Sequence, residues 1–303
     1  MPDVGDSTPA LRSPRASRTA RIHRPTAPTA PTPGVGERQW PDASAGADAS
    51  TASDASTAPD ASTARPYVVL SCGMSIDGYL DSPSPQRLLL SNDDDFDRVD
   101  AERAASDAIL VGAATIRHDD PRLLVRSATR RAERVARGLP ASPTKVTLTR
   151  RADLDPGARF FAADDAEKLV YCASPALESA RQRVGDRATV VDAGPACDLR
   201  RVWADLAARG IGRLMVEGGG TVHTQVLAAD LADELQLVVA PFFVGSSRAT
   251  RFVGDAAFPF NEQRRARLAE VRQIGDVVLL RYALSPRFGQ AADGVDHDPK
   301  GNA

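Results

Sequence analysis

From residue 66 onward the chain alternates short apolar runs with polar or amphipathic stretches. The runs at 67–73, 108–112, 145–149, 168–172, 188–192, 214–217 and 234–240 are four to seven residues long. Most are rich in Val, Leu or Ile and predict buried strands. Helical signals lie between several of them. Ser91-Asn92 stands before the acids Asp93, Asp94, Asp95 and Asp97, which suits a capped helix start. Residues 199–209 place Val202 and Leu206 on one side of a helix, with Gly210 as its stop. Residues 221–227 again have helical spacing. Two final runs, 267–272 and 276–282, predict a closing antiparallel pair. Strands alternating with helices indicate an α/β domain: a mainly parallel sheet flanked by helices, with an antiparallel C-terminal edge.

Residues 1–64 read differently. Pro, Ala, Ser and Thr dominate, Trp40 is the one aromatic residue, and Asp-Ala-Ser recurs at Asp42, Asp48, Asp54 and Asp60. So short a repeat without large apolar residues has nothing to bury, and it predicts a disordered low-complexity tail. Arg12, Arg15, Arg18, Arg21 and Arg24 form a spaced basic arm in it, read as solvated charge. The polar stretch 286–303 predicts a flexible C-terminal tail, which leaves 65–285 as the folded domain.

The totals narrow the possible functions. A formal net charge of -2 gives no reason to expect nucleic acid or an anionic membrane as partner. No apolar run approaches the ~20 residues of a membrane helix. Cys72, Cys172 and Cys197 are isolated, which indicates neither a zinc site nor a disulfide framework and suits a reducing, cytoplasmic setting. No metal site is expected. Asp93, Asp95 and Asp97 fail as a calcium loop, because Arg98 holds the position of the turn glycine and Ala104 that of the bidentate glutamate.

Chemistry concentrates in residues 214–221, Leu-Met-Val-Glu-Gly-Gly-Gly-Thr. A strand is closed by Glu217, and Gly218, Gly219 and Gly220 turn it into a helix that begins near Thr221. Glycines let backbone N–H groups approach a ligand closely and tolerate positive φ. The helix N-terminus behind them offers unpaired donors and partial positive charge. Together these suit a phosphate or pyrophosphate, although three glycines alone read equally well as a plain turn. Residues 108–115 form a second unit of this kind, a strand running into Gly112 and Thr115.

Four pieces stand in order: Met74-Ser75-Ile76-Asp77-Gly78, Val111-Gly112-Ala113-Ala114-Thr115, Asp119-Asp120-Pro121-Arg122-Leu123, and Val216-Glu217-Gly218-Gly219-Gly220-Thr221. The series resembles the reductase domain of bacterial riboflavin biosynthesis, which has a dihydrofolate-reductase-like fold, over roughly residues 66–284. The resemblance implies an NADPH-dependent oxidoreductase, a homodimer, that reduces a ribosylaminopyrimidine phosphate or a related small heterocycle. It implies cofactor contacts at Met74, Gly78, Gly112, Thr115, Gly218, Gly219, Gly220 and Thr221. Thr149 and Arg150, with Arg151, would meet the 2′-phosphate, for which guanidinium is the fitting group. Asp119 and Glu217 would be the catalytic carboxylates, and Ser91, Asp119, Arg122 and Arg126 would bind substrate. Two departures fall on the substrate side: Ser71 stands where the family usually has Lys, and Leu89 where it has Trp. They fit a paralogue reducing a related heterocycle; a paralogue with dihydrofolate or pteridine reductase activity, or a nucleotide-binding module without catalysis, stands as the alternative.

Overall fold

The computed structural model describes residues 65–84 and 88–289; the expected tail at 1–64, most of the one at 286–303, and Arg87 lie outside them. In chain order the elements are β1 (Tyr67–Ser75), α1 (Asp93–Ala105), β2 (Ala108–Gly112), α2 (Ala113–Asp119), α3 (Ala128–Ala136), β3 (Thr144–Thr149), β4 (Lys168–Cys172), α4 (Leu177–Val184), β5 (Thr189–Asp192), α5 (Leu199–Ala208), β6 (Arg213–Gly218), α6 (Gly220–Ala228), β7 (Glu234–Ala240), β8 (Arg267–Ile274) and β9 (Val277–Ala283). The strands form one sheet in the order β5-β4-β3-β2-β6-β1-β7-β9-β8. β5 through β7 run parallel, and β9 and β8 close the sheet antiparallel. The expected α/β architecture is what forms.

The central strands are buried on both faces, which is why they read as continuous apolar runs and not as alternating ones. On one face Val68, Leu70, Leu110, Leu214 and Val216 pack with Trp203 and Leu206 of α5 and Val222 and Val226 of α6. On the other, Ile109, Val111 and Val170 meet Ile116 of α2, Leu123, Phe160 and Val184 of α4. Farther along that second face the sheet turns polar: Glu234 and Gln236 of β7 are buried, and side chains of α1 bond to them. α1 therefore lacks an apolar stripe. Asn92 caps it by accepting from the Asp95 N–H at 3.0 Å, as expected, but Asp95 is not a solvated first-turn acid. It is buried and bonded to Arg98 at 2.6 Å. The basic stretch from Arg126 to Arg137 contains α3, and its Arg134 is buried, donating to the carbonyls of Ala104 (2.7 Å), Ser106 (2.8 Å) and Pro140 (2.9 Å).

Asp233, fully buried, ties the two ends of the described domain together. It accepts from both terminal nitrogens of Arg65 at 2.7 Å, from the Val68 N–H at 2.9 Å, from Ser285 at 2.6 Å and from Arg287 at 3.3 Å. Arg287 also reaches the Pro66 carbonyl at 3.1 Å, and the Phe288 ring lies under Arg267 and Arg281. Ordered packing thus continues a few residues past 285.

Candidate active site

The chain leaves β1 for β2 on one side of the sheet and later places β7 on the other, with β6 returning between β1 and β2. In such sheets ligands bind outside the carboxyl ends of the strands at this reversal. Here those ends are Gly112, Gly218 and Ser75.

The three glycines at the end of β6 do different work. Gly218 has φ of +121°, a conformation that L side chains rarely adopt, and a Cβ there would lie 3.0 Å from Cε1 of His223. Gly219 has φ of -77° and caps α6, so the positive φ expected at the turn belongs to Gly218. A Cβ on Gly219 would lie 3.2 Å from Oγ1 of Thr115, so the two strand–Gly units lie side by side. Gly220 packs against the chain: a Cβ there would sit 2.3 Å from the Arg251 carbonyl oxygen. Gly112 likewise makes room for Val222, whose Cγ2 would be 2.9 Å from a Cβ. The nine-residue helix α6 begins at this turn, with exposed Thr221 in its first turn. Bare backbone around a helix N-terminus fits a pyrophosphate.

His223, one turn into α6, is fully buried, neither ring nitrogen completes a full hydrogen bond, and its ring meets Phe252 at 5.4 Å between centroids. Burial pushes its pKa down to about 4, a carbonyl contact from Val216 opposing only in part. Nothing in the residue order marks it out from an ordinary helix position.

Beside the cradle lies a cavity of about 170 Å³, lined by Ser71, Gly73, Ser91, Arg103, Arg126 and Glu217 among others. Glu217 is gripped there by Arg103 of α1: Nε to Oε1 at 2.6 Å and Nη2 to Oε2 at 2.7 Å. Arg103 Nη1 also donates to the Leu124 carbonyl at 3.2 Å, so one guanidinium joins α1, β6 and the loop before α3. Burial works against the charge on Arg103, but the facing Glu217 carboxylate and its hydrogen bonds outweigh it and raise the pKa. The sequence shows nothing of this pair, whose members are 114 residues apart.

The other expected residues divide. Ser91 and Arg126 line the cavity with Glu217. Asp119 ends α2 on the surface and does not line it; neither does Arg122, which is exposed. Asp120 next to it has φ of 43° and accepts from the Arg159 N–H at 2.6 Å. Met74 packs against the main core, and Gly78 forms the turn after β1 with φ of +86°. Asp77 fastens that turn to the segment after β7, accepting from Ser75 Oγ at 2.6 Å and from the N–H groups of Val244 (3.0 Å) and Gly245 (2.7 Å). What little desolvation it suffers would raise its pKa, yet those bonds hold it down at about 2. Thr149 is buried at the end of β3, with Arg150 and Arg151 exposed just beyond it. Leu89 is 64% exposed.

The pattern of the RibD C-terminal domain matches residues 66–280. The 2,5-diamino-6-ribosylamino-4(3H)-pyrimidinone 5′-phosphate reductase of Archaeoglobus fulgidus is 32% identical over 227 residues, which cover 75% of this chain and all of that protein. The reductase of the same name from Methanothermobacter thermautotrophicus is 31% identical, covering 73% of this chain and 99% of its own length. Among solved structures, RibD of Acinetobacter baumannii superposes with a TM-score of 0.60 at 26% identity, over 73% of this chain and 58% of that one.

Proposed function

Because this chain belongs to the RibD C-terminal domain family and is a reductase of the riboflavin-biosynthesis type, we propose that it uses NADPH to reduce a ribosylaminopyrimidine 5′-phosphate. One observation carries the reading: Glu217 and Gly218 are consecutive, yet the first faces the cavity while the second opens the glycine cradle. A cofactor on the cradle and a substrate in the cavity would meet at the end of β6.

In this reading the backbone N–H groups around Gly219, Gly220 and Thr221 hold the pyrophosphate, with Thr115 beside them. Gly112 keeps the wall close, and the turn from Met74 to Gly78 borders the nicotinamide. Arg150 and Arg151 lie beyond β3, toward the adenosine end, and meet the 2′-phosphate. When bound, the dinucleotide supplies the hydride. The chain's own part is to bind, orient and handle the accompanying proton. Arg126 takes the substrate phosphate, Ser91 a substrate hydroxyl, and Glu217, fixed by Arg103, holds the sugar or moves the proton at the reacting nitrogen. Asp119 and Arg122 reach substrate only if the loop after α2 closes over it.

The three free thiols accord with a reducing cytoplasm, and Leu268 and Val271, exposed on edge strand β8, offer a second copy an apolar contact. Two variants test the site. Gly219→Val is expected to abolish NADPH binding in a fluorescence titration while circular dichroism stays native. Glu217→Gln is expected to bind NADPH normally and to turn over at least ~10²-fold more slowly. Normal NADPH affinity in Gly219→Val would remove the cofactor from the cradle.

A further inference from the structure

The cavity wall carries a third guanidinium that the reading above does not use. Arg98 of α1 lines it next to Ser71 and Gly73. Its side chain is only 13% exposed and is held from two sides: Nε donates to Asp95 Oδ1 at 2.6 Å, and Nη1 donates to Gln236 Oε1 at 2.6 Å. Gln236 is the β7 register partner of Ser71, whose short side chain lines the same cavity as Arg98.

The orientation of Gln236 is fixed in turn. Its Nε2 donates to Glu102 Oε2 and to Glu234 Oε1, both at 2.8 Å. Flipping the amide would turn its oxygen toward two carboxylates and its N–H₂ toward a cation, so only one arrangement is stable. Glu234 is pinned by Tyr67 at 3.0 Å and Arg281 at 2.8 Å. Asp95, 1% exposed, is pinned by Ser91. A buried network this extensive is costly unless each member is satisfied, and here it presents Arg98 to the cavity in one pose.

The three cavity arginines differ in charge balance. Arg103 is neutralised by Glu217 and Arg98 by Asp95. Arg126 donates its backbone N–H to Asp100 and lays its guanidinium over Phe96 at 5.5 Å, and among the described residues no carboxylate is paired with that guanidinium. The unbalanced cation suits a phosphate dianion. A guanidinium already balanced by a carboxylate offers donors without net charge, which suits a neutral acceptor oxygen.

Resting on the proposed substrate, we infer that Arg98 binds a ring oxygen of the heterocycle, with Gln236 as its positioning residue, while Arg126 takes the phosphate.

The test crosses residue with substrate phosphate. Wild type, Arg98→Met, Gln236→Met and Arg126→Gln are assayed with the ribosylaminopyrimidine phosphate and its dephosphorylated nucleoside, by turnover and by calorimetric binding. Arg98→Met is expected to weaken both substrates by the same factor, roughly 10- to 100-fold, through KM. NADPH affinity should not change. Gln236→Met should do the same to a smaller degree. Arg126→Gln should weaken only the phosphorylated substrate. A merely structural role would leave KM in place while lowering the melting temperature, and Arg98→Lys, which keeps the ion pair but not the fork, would then behave as wild type. That outcome overturns the inference, as does a loss in Arg98→Met confined to the phosphorylated substrate. If wild type binds the pyrimidine but oxidises no NADPH, the reductase reading fails while the binding ratios still judge Arg98. If wild type binds neither pyrimidine, both fall.

Discussion

Acidification from pH 7 to about pH 5 should destabilise this protein through one side chain, His223. The imidazole is fully buried, its nitrogens complete no full hydrogen bond, and its pKa in the fold is about 4 against 6.5 for a free histidine. Because the folded value lies below the unfolded one, the unfolded chain takes up a proton between these values that the native state refuses. Stability therefore falls as pH drops through 6.5 and levels off below about 4. Over the full window the linkage amounts to about 3 kcal/mol, and between pH 7 and pH 5 to about 2 kcal/mol. For a domain of this size that is roughly 4–8 °C in melting temperature. The chain has four histidines, of which His23 and His297 lie outside the described residues and His118 is exposed. Thermal melts by circular dichroism at the two pH values, on wild type and His223→Leu, isolate the effect. The variant should lose most of the pH-dependent shift whatever its own stability. If its shift between pH 7 and pH 5 equals that of wild type, the neutral buried imidazole is not the cause.

Other changes follow from the same packing. Gly220→Ala drives a methyl group into the Arg251 carbonyl, so urea unfolding should report a loss of about 1–3 kcal/mol, with weaker NADPH binding, since the backbone must shift. Replacing Arg150 and Arg151 together with Ala should weaken NADPH by roughly 1.5–3 kcal/mol and leave NADH nearly unchanged; equal weakening of both would place the 2′-phosphate elsewhere. Arg103→Met strips Glu217 of its bidentate partner, and a sharp drop in turnover with intact NADPH affinity is expected, whereas unchanged turnover would show that the grip is dispensable.

The fold was largely legible because it rests on local signals. Buried parallel strands announce themselves as apolar runs, and β6 with its glycines and α6 follow one another directly, from Arg213 to Ala228. Whereas the place of Thr115 beside Gly219 was implied only by the family resemblance, the glycine turn at the end of β6 was readable for the same reason. The cavity was not. Its essential pairs join α1 to β6 and β7 across more than a hundred residues, Arg103 to Glu217 and Arg98 to Gln236. In the sequence α1 shows only a charged, weakly patterned stretch, and charge of that kind ordinarily faces water. What turns it inward is the polar face of β7, where buried Glu234 and Gln236 require partners. Asp119 illustrates the reverse case: its motif is local and clear, but the end of α2 leaves it on the surface, outside the cavity.

The Asp233 clasp also determines where the chain can be extended or cut. Arg65 and Arg287 meet at the starts of β1 and β7, where β9 ends, so both ends of the described domain lie at the amino edge of the parallel strands. The cradle and cavity open at the carboxyl edge. Fusion partners, affinity tags or surface tethers joined at either end would attach on the side away from the crevice. A short linker between the two ends, with new termini opened in the exposed loop near Glu262, would give a circular permutant whose cradle and cavity are untouched.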